Sequence, residues 1–276
     1  MPPDQIANMT VYVNSHPGLN GKDNEDRYGI FFIKMGDNNA ELSLLAVIAD
    51  GIGGHLAGEI AAEISVKSIS QSLTNNHVGE PIACMKKAFS NANREILTLA
   101  RNDPAKRGMG STCACVWVIG NKLFIASVGD SRIYLIRDSA IQQLTRDHTW
   151  IQEAIEVGKT TKEQARKHIN AHVILRYLGS AQKGTPDFRL FLSGEEDSTL
   201  AEANQGLYLQ PDDKIYLCTD GLTDLVDSDE ILAISQNFEL EHGVNALIDL
   251  ANQRGGHDNI TVIGLSLLLD NQPVQR

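Results

Sequence analysis

Apolar positions along this chain follow two periods, one of about two residues and one of three to four. Runs rich in β-branched residues and bounded by turn formers predict strands near Thr10–Asn14, Arg27–Ile33, Leu42–Ala49, Thr112–Ile119 and Lys122–Val128. The same signal recurs at Arg132–Ile136, Phe188–Leu192, Leu207–Leu209, Lys214–Thr219 and Ile260–Leu268. Gly120-Asn121 and Gly129-Asp130 read as tight turns, which favours antiparallel hairpins over helical crossovers. Two long helical patterns interrupt the strands, Ala57–Leu73 and Ile82–Arg101. In the second, Ile82, Met85, Phe89, Ala92, Ile96 and Leu99 alternate spacings of three and four, a stripe suited to a core face rather than to a cofactor. Shorter helices are expected at Asp229–Ser235 and Val244–Arg254. Strands that pair with strands, plus amphipathic helices that need an apolar floor, predict an α+β fold: two antiparallel sheets face to face with helices outside, a four-layer α-β-β-α sandwich.

The stretch from Asp147 to Pro186 has a different texture, polar and irregular, with short helices at Trp150–Gly158 and Thr161–His168. It reads as an insertion over the sheet edge. The expectation is one domain spanning residues 1–276 with a core at about 10–269 and this insertion at about 147–186.

Composition narrows the function. At 42% apolar and 21% charged residues the chain can bury a full core. Lys and Arg total 24 against 35 Asp and Glu, a formal net charge of -11, and no basic run is long enough to track a phosphate backbone. Nucleic acid is therefore excluded as a partner. Trp117 and Trp150 read as core and insertion packing, since no basic groove accompanies them. Cys84, Cys113, Cys115 and Cys218 lack metal-ligand spacing and read as reduced thiols. The most apolar run, Leu42–Ala49, is too short to span a bilayer and residues 1–9 carry no leader signal, so the expectation is a cytoplasmic protein without a membrane partner.

The acids carry the chemistry. Glu25 and Asp26 precede one strand, Asp50 follows another, Asp220 follows a third, and Asp258 precedes the last. In antiparallel pairs the start of one strand lies beside the end of its neighbour, so these distant acids can meet on one rim. Carboxylates gathered without basic partners must take up protons or bind a cation. Oxygen ligands without His or Cys select Mg²⁺ or Mn²⁺, and a shared carboxylate can bridge two ions at roughly 3.5–4 Å and activate water for attack on a phosphoester. An isolated Asp-Gly is first of all a turn former. Asp50-Gly51-Ile52-Gly53-Gly54-His55 is too glycine-rich for a simple hairpin and leads into a helix, without the Gly-Lys-Ser/Thr of a P-loop.

Six motifs stand in order: Asn24-Glu25-Asp26, Asp50-Gly51-Ile52-Gly53-Gly54, Gly110-Ser111-Thr112, Val128-Gly129-Asp130-Ser131-Arg132, Thr219-Asp220-Gly221-Leu222-Thr223-Asp224 and Asp258-Asn259-Ile260-Thr261. Together they resemble the bacterial protein phosphatase 2C family of metal-dependent protein phosphatases, from about residue 10 to residue 269. The resemblance implies hydrolysis of phosphoserine and phosphothreonine by metal-bound water at a binuclear Mn²⁺ or Mg²⁺ centre, with no protein nucleophile. It implies that Asp50 bridges the two metals, that Asp220 and Asp258 complete one site, and that Glu25 and the Gly51 carbonyl serve the other. Asp26 falls in the outer shell, Asp130 and Asp224 match holders of a third metal, and residues 147–186 match a substrate-selecting flap. Implied partners are phosphorylated proteins and a cognate Ser/Thr kinase. Where the family places a phosphate-gripping Arg this chain has Gly21, and Lys22 beside it is the substitute, with charge but without Arg's planar fork. Ile52 stands where eukaryotic members place a proton-donating His, which leaves His55 as a candidate acid set against a structural role. Arg132 is expected to order the turn around Asp130, and Asp147-His148 to form a helix-capping turn. A catalytically silent sensor and a hydrolase of small phosphoesters are the competing functions.

Overall fold

Strand alternation sorts the apolar side chains into three separate cores, and that sorting defines the layers. The computed structural model describes residues 9–35, 41–53, 56–75, 78–161, 164, 168–170, 173–182 and 184–267. In chain order the elements are β1 (Met9–His16), β2 (Arg27–Met35), β3 (Glu41–Ala49), β4 (Gly51–Ile52), α1 (Leu56–Asn75), α2 (Pro81–Asn102), β5 (Gly110–Ser111), β6 (Cys113–Ile119) and β7 (Lys122–Val128). They continue with β8 (Arg132–Arg137), β9 (Ala140–Gln143), α3 (Trp150–Glu156), α4 (Ser198–Ala203), β10 (Leu207–Tyr208), β11 (Lys214–Cys218), α5 (Asp220–Thr223), α6 (Ser228–Asn237), α7 (Leu240–Gln253) and β12 (Ile260–Leu267).

One sheet runs β1-β12-β11-β8-β9, the other β10-β7-β6-β3-β2, and β4 pairs with β5. Every ladder is antiparallel. Strand β6 illustrates the sorting. Its Cys113, Cys115 and Trp117 face α1 and α2, while Ala114, Val116 and Val118 face the other sheet. There they meet Ile133, Leu135, Ile215, Leu217, Ile263 and Leu265. The reverse face of that sheet, with Tyr134, Tyr216 and Val262, is covered by Ile231, Leu240, Val244 and Leu247 of α6 and α7. The α+β sandwich of four layers expected from the pattern is what forms. The stripe on α2 is a core face, with Met85, Phe89, Ala92 and Ile96 buried. All four cysteines are free thiols.

Several expectations need correction. Phe188–Leu192 is not a strand: Leu190 N donates to Ala201 O and Phe191 N to Leu144 O, and only Asp187 bridges a strand residue, Ser127. Its apolar run reflects burial, because Leu190 plugs the core between the sheets. Strands β4, β5 and β9 and helices α4 and α5 are too short to give a periodic signal. Helix α7 begins a turn earlier than expected, at Leu240. Most of Thr161–His168 lies outside the described residues, as do Leu268, Gly54 and His55. Within 147–186, Trp150 stacks on His168 with ring centroids 4.6 Å apart. Leu178, by contrast, is fully buried in the core under α1 and α2 and pairs with Ser111, so this part belongs to the body of the fold.

Leu217 lies at the centre of the layer between the sheets with no exposed surface. Leu217→Ala should lower unfolding free energy by about 3 kcal/mol, read as a reduced urea midpoint at unchanged slope.

Candidate metal centre

Five loops deliver acids to one end of the sandwich, and neutral hydrogen bonds tie the loops to one another. Asn259 is a central tie. Its Oδ1 accepts from Glu25 N at 2.8 Å, and its Nδ2 donates to Pro17 O at 3.0 Å and Asp23 O at 3.2 Å, binding the β1–β2 loop to the start of β12. Asp26 lies buried beside it, its Oδ2 accepting from Thr219 Oγ1 at 2.9 Å and Thr261 Oγ1 at 2.7 Å. Gly221 packs so closely on the Asn259 carbonyl that a Cβ has no room there. Thus Asp220, opening α5, and Asp258, whose Oδ1 accepts from Asn259 N at 2.9 Å, belong to adjoining strand ends.

The other sheet contributes Asp50. Its carbonyl accepts from Thr112 N at 2.9 Å and its N–H donates to Thr112 Oγ1 at 3.1 Å, fixing the β3–β4 link. Thr112 Oγ1 also stands 2.7 Å from Ser131 Oγ, next to Asp130. Gly129 makes this turn possible, with φ +100 and Thr112 Cβ 2.6 Å from where its own Cβ would be. A Cβ on Gly58 would fall into the Glu25 carboxylate and lie 3.0 Å from the Gly51 carbonyl carbon, so Glu25 and the Gly51 backbone meet over the first turn of α1.

These carboxyls share a field. Asp50 is held well above the ordinary carboxylate range by loss of water and then by the charges of Asp220, Asp26 and Asp130, and it shares a hydrogen bond with Asp220. Asp130 is raised by burial and then by Asp220 and Asp147, against the opposing charge of Arg132. Burial pushes Asp26 up to about 7, with Asp220 and Asp258 adding to the rise and the two threonine hydroxyls opposing it. Asp26, Asp50, Asp130 and Asp220 are thus brought together, with Asp258 beside Asp26. Asp224 stands one helical turn beyond Asp220, its Oδ2 3.5 Å from His257 Nε2, and Lys22 is exposed on the β1–β2 loop. As the side chains stand, no three His, Cys, Asp or Glu among the described residues close tightly enough to hold an ion.

Two expected roles change. Arg132 does not grip the Asp130 turn: its fork engages Asp147, with Nη2 2.6 Å from Oδ2. Asp147-His148 is not the cap of α3, a role taken by Thr149, which accepts from Gln152 N. His148 is instead buried, its Nδ1 accepting from Gly129 N at 3.0 Å and its Nε2 facing Asp187 Oδ2 at 3.3 Å. The proton therefore sits on Nε2. Burial alone would raise the Asp187 carboxyl, but hydrogen bonds from His148 and Arg189 hold it below the usual range. Sequence reasoning assigned no role to Asn259, Thr219, Thr261 or Thr112, although each lies inside a quoted motif.

Residues 19–248 match the sequence profile of the family described as protein phosphatase 2C. The chain belongs to the protein phosphatase 2C family. Among curated relatives, the serine/threonine protein phosphatase PstP of Mycobacterium tuberculosis is 33% identical over 219 residues, 79% of this chain but 39% of that protein's length. Among solved structures, the S. agalactiae serine/threonine phosphatase superposes with a TM-score of 0.81 at 29% identity, covering 94% of this chain and 99% of that one. The catalytic domain of PstP in complex with two manganese ions gives a TM-score of 0.75 at 29% identity, covering 95% and 99%.

Does this member of the protein phosphatase 2C family offer donors that fit divalent metal? Its clustered acids are all oxygen donors, the set that hard cations prefer. One carboxyl oxygen each of Asp26 and Asp130, both Oδ1, is buried without a hydrogen-bond partner among the described residues, an expensive state that a cation offsets. The donors fit. For Asp26 the sign of the pH effect follows from a folded-state value above the unfolded one. Its contribution to stability is full below about pH 4 and is lost as pH rises through about 7. In EDTA, the unfolding midpoint should therefore fall between pH 5 and pH 8, and Asp26→Asn should flatten that fall, measured by urea denaturation at each pH.

Proposed function

We propose that this phosphatase hydrolyses phosphoserine and phosphothreonine in proteins with two divalent cations, Mn²⁺ or Mg²⁺, and water as the attacking group. The observation that carries the reading is the coupling of Asp50 to Asp220, Asp26 and Asp130 inside an all-oxygen cluster. A phosphate approaching these carboxylates meets like charge, so they can serve it only through cations. Asp50 would be shared between the ions, Asp220 and Asp258 would complete one site, and Glu25 and the Gly51 carbonyl the other. Asp130 and Asp224 are the residues for a third. When bound, such ions supply Lewis-acid activation of water and offset charge on the transferring oxygens.

The chain's own residues supply placement. Thr112 fixes the Asp50 backbone, Asn259 fixes Glu25, and the threonine hydroxyls fix Asp26. The manganese complex of the PstP catalytic domain, similar over 95% of this chain, supports the metal assignment. Phosphorylated proteins are the substrates on this reading and a Ser/Thr kinase is the natural counterpart. The chain is taken as one domain with a flap at about 147–186, and the pairing of Leu178 with Ser111, next to β4, supports a flap rooted beside the acids. A cytoplasmic setting suits its four free thiols. Among the described residues no helix is long and apolar enough to cross a membrane.

With a phosphothreonine peptide and Mn²⁺, Asp220→Asn should lower kcat/KM by at least ~10³-fold, about 4 kcal/mol of transition-state stabilisation. EDTA should silence the wild type, and nucleotides and p-nitrophenyl phosphate should be poorer substrates. Turnover that persists in EDTA, or an Asp220→Asn variant within tenfold of wild type, defeats the reading. Lys22→Ala should raise KM for the peptide about 3- to 10-fold with kcat held, and an unchanged KM removes Lys22 from phosphate binding.

A further inference from the structure

Asp26 closes a circuit of hydrogen bonds on itself. Its N–H donates to Asn24 Oδ1 at 3.1 Å, Asn24 Nδ2 donates to Ser15 Oγ at 2.9 Å, and Ser15 Oγ lies 2.8 Å from Thr261 Oγ1. Thr261 Oγ1 then donates to Asp26 Oδ2 at 2.7 Å. Since the single Thr261 proton goes to the carboxyl, Ser15 must be the donor to Thr261, and the circuit runs in one direction. Thr219 gives the same oxygen a second hydroxyl at 2.9 Å, while its own Oγ1 accepts from Thr261 N at 3.0 Å. Each group is thereby fixed by another. The consequence is an asymmetric carboxyl: Oδ2 receives two hydroxyls, and Oδ1 is buried without a hydrogen-bond partner among the described residues. Asp26 is 2% exposed and both threonines are fully buried, so bulk water does not serve that oxygen.

We propose that Ser15, Thr219 and Thr261 are positioning residues that lock Asp26 Oδ2 and so present Oδ1 to the hydration sphere of a divalent cation held by Asp220 and Asp258. This rests on the metal reading above. Asp220 and Asp258 act on Asp26 by charge and Asp26 acts in turn on Asp50, so its carboxyl lies among the acids of the proposed metal site. Two hydroxyl donors suit a carboxylate and not a neutral acid, because an ionised oxygen accepts twice without competition from its own proton. Ser15 sits on β1 and Thr261 on β12, whose register pairs them directly, so the ladder holds the relay in place. Outer residues of this kind typically change metal affinity by 10–100-fold when removed.

The test is calorimetric titration of Mn²⁺ into the metal-free protein, with wild type, Thr261→Val, Thr261→Ser and Ser15→Ala. Valine keeps the shape and loses the O–H, and serine does the reverse. Thr261→Val should weaken Mn²⁺ binding about tenfold, Ser15→Ala about threefold, and Thr261→Ser should stay within about twofold of wild type. Equal losses for Thr261→Val and Thr261→Ser would mark a packing role and overturn the proposal. So would wild-type affinity in Thr261→Val or, should that variant not fold, in Ser15→Ala. A wild type that takes up no Mn²⁺ removes the metal reading and this proposal with it, an outcome distinct from a variant that binds normally.

Discussion

The fold must keep several carboxyls close together and largely out of water without neutralising them. Two solutions are open to a protein: a basic side chain beside each acid, or a framework of neutral donors that tolerates the repulsion. This chain uses the second. Arg132 lies two residues from Asp130 yet turns its fork to Asp147, and Arg27, next to Asp26, pairs with Glu59 and bonds backbone carbonyls. The Asp26 carboxyl accepts from the hydroxyls of Thr219 and Thr261, while the Thr112 side chain and the Asn259 amide hold the backbone N–H groups of Asp50 and Glu25. A neutral framework fixes geometry and leaves the negative charge available to a cation, whereas an arginine on each acid would already have compensated it.

Sheet topology explains how so few residues suffice. β12 and β11 are neighbours in one sheet, so the ends bearing Thr261 and Thr219 lie side by side and both hydroxyls reach one oxygen of Asp26. Asp26 itself enters β2 of the other sheet, and the β1–β2 loop crosses between sheets at that end. Asp50 leaves β3, the neighbour of β2, and is stitched to Thr112 before β6. The acids therefore sit where the two sheets are joined by loops, and separation by more than two hundred positions along the chain is no obstacle. The cost of gathering them is carried by the three apolar cores, which stabilise the sandwich whatever the charge state at its rim.

Much of this was legible in the chain itself. Long strands and helices announce themselves by period, and the placement of Glu25, Asp26, Asp50, Asp220 and Asp258 at strand ends points to a common rim independently of any family resemblance. What was not legible depended on partners rather than on residue type. The run Phe188–Leu192 has strand composition, but Leu190 fills a gap between sheets and its backbone bonds elsewhere. Arg132 could have served Asp130 or Asp147, and only the folded geometry decides. Thr219 and Thr261 look like ordinary strand residues, since β-branched hydroxyl residues are common there. Their role appears only when two strand ends are laid together, although the recurrence of Thr beside an acidic motif was a usable signal.

The region at 147–186 joins this framework more deeply than its polar texture suggested. His148 exchanges two bonds with Gly129, its N donating to the carbonyl at 2.9 Å and its ring accepting the N–H, so the turn that carries Asp130 is held from the side by this region. Leu178 exchanges both backbone bonds with Ser111, one residue before the threonine that anchors Asp50. Two of the five acid-bearing loops therefore owe their position to the roots of this region, and those roots are buried. Among the described residues between the turn after α3 and Ile174, Val173 accepts from Trp150 N and Ile174 bridges Thr149, contacts within the region itself. Change at His148 or Leu178 therefore acts on the carboxyl framework itself, through the backbones of Gly129 and Ser111.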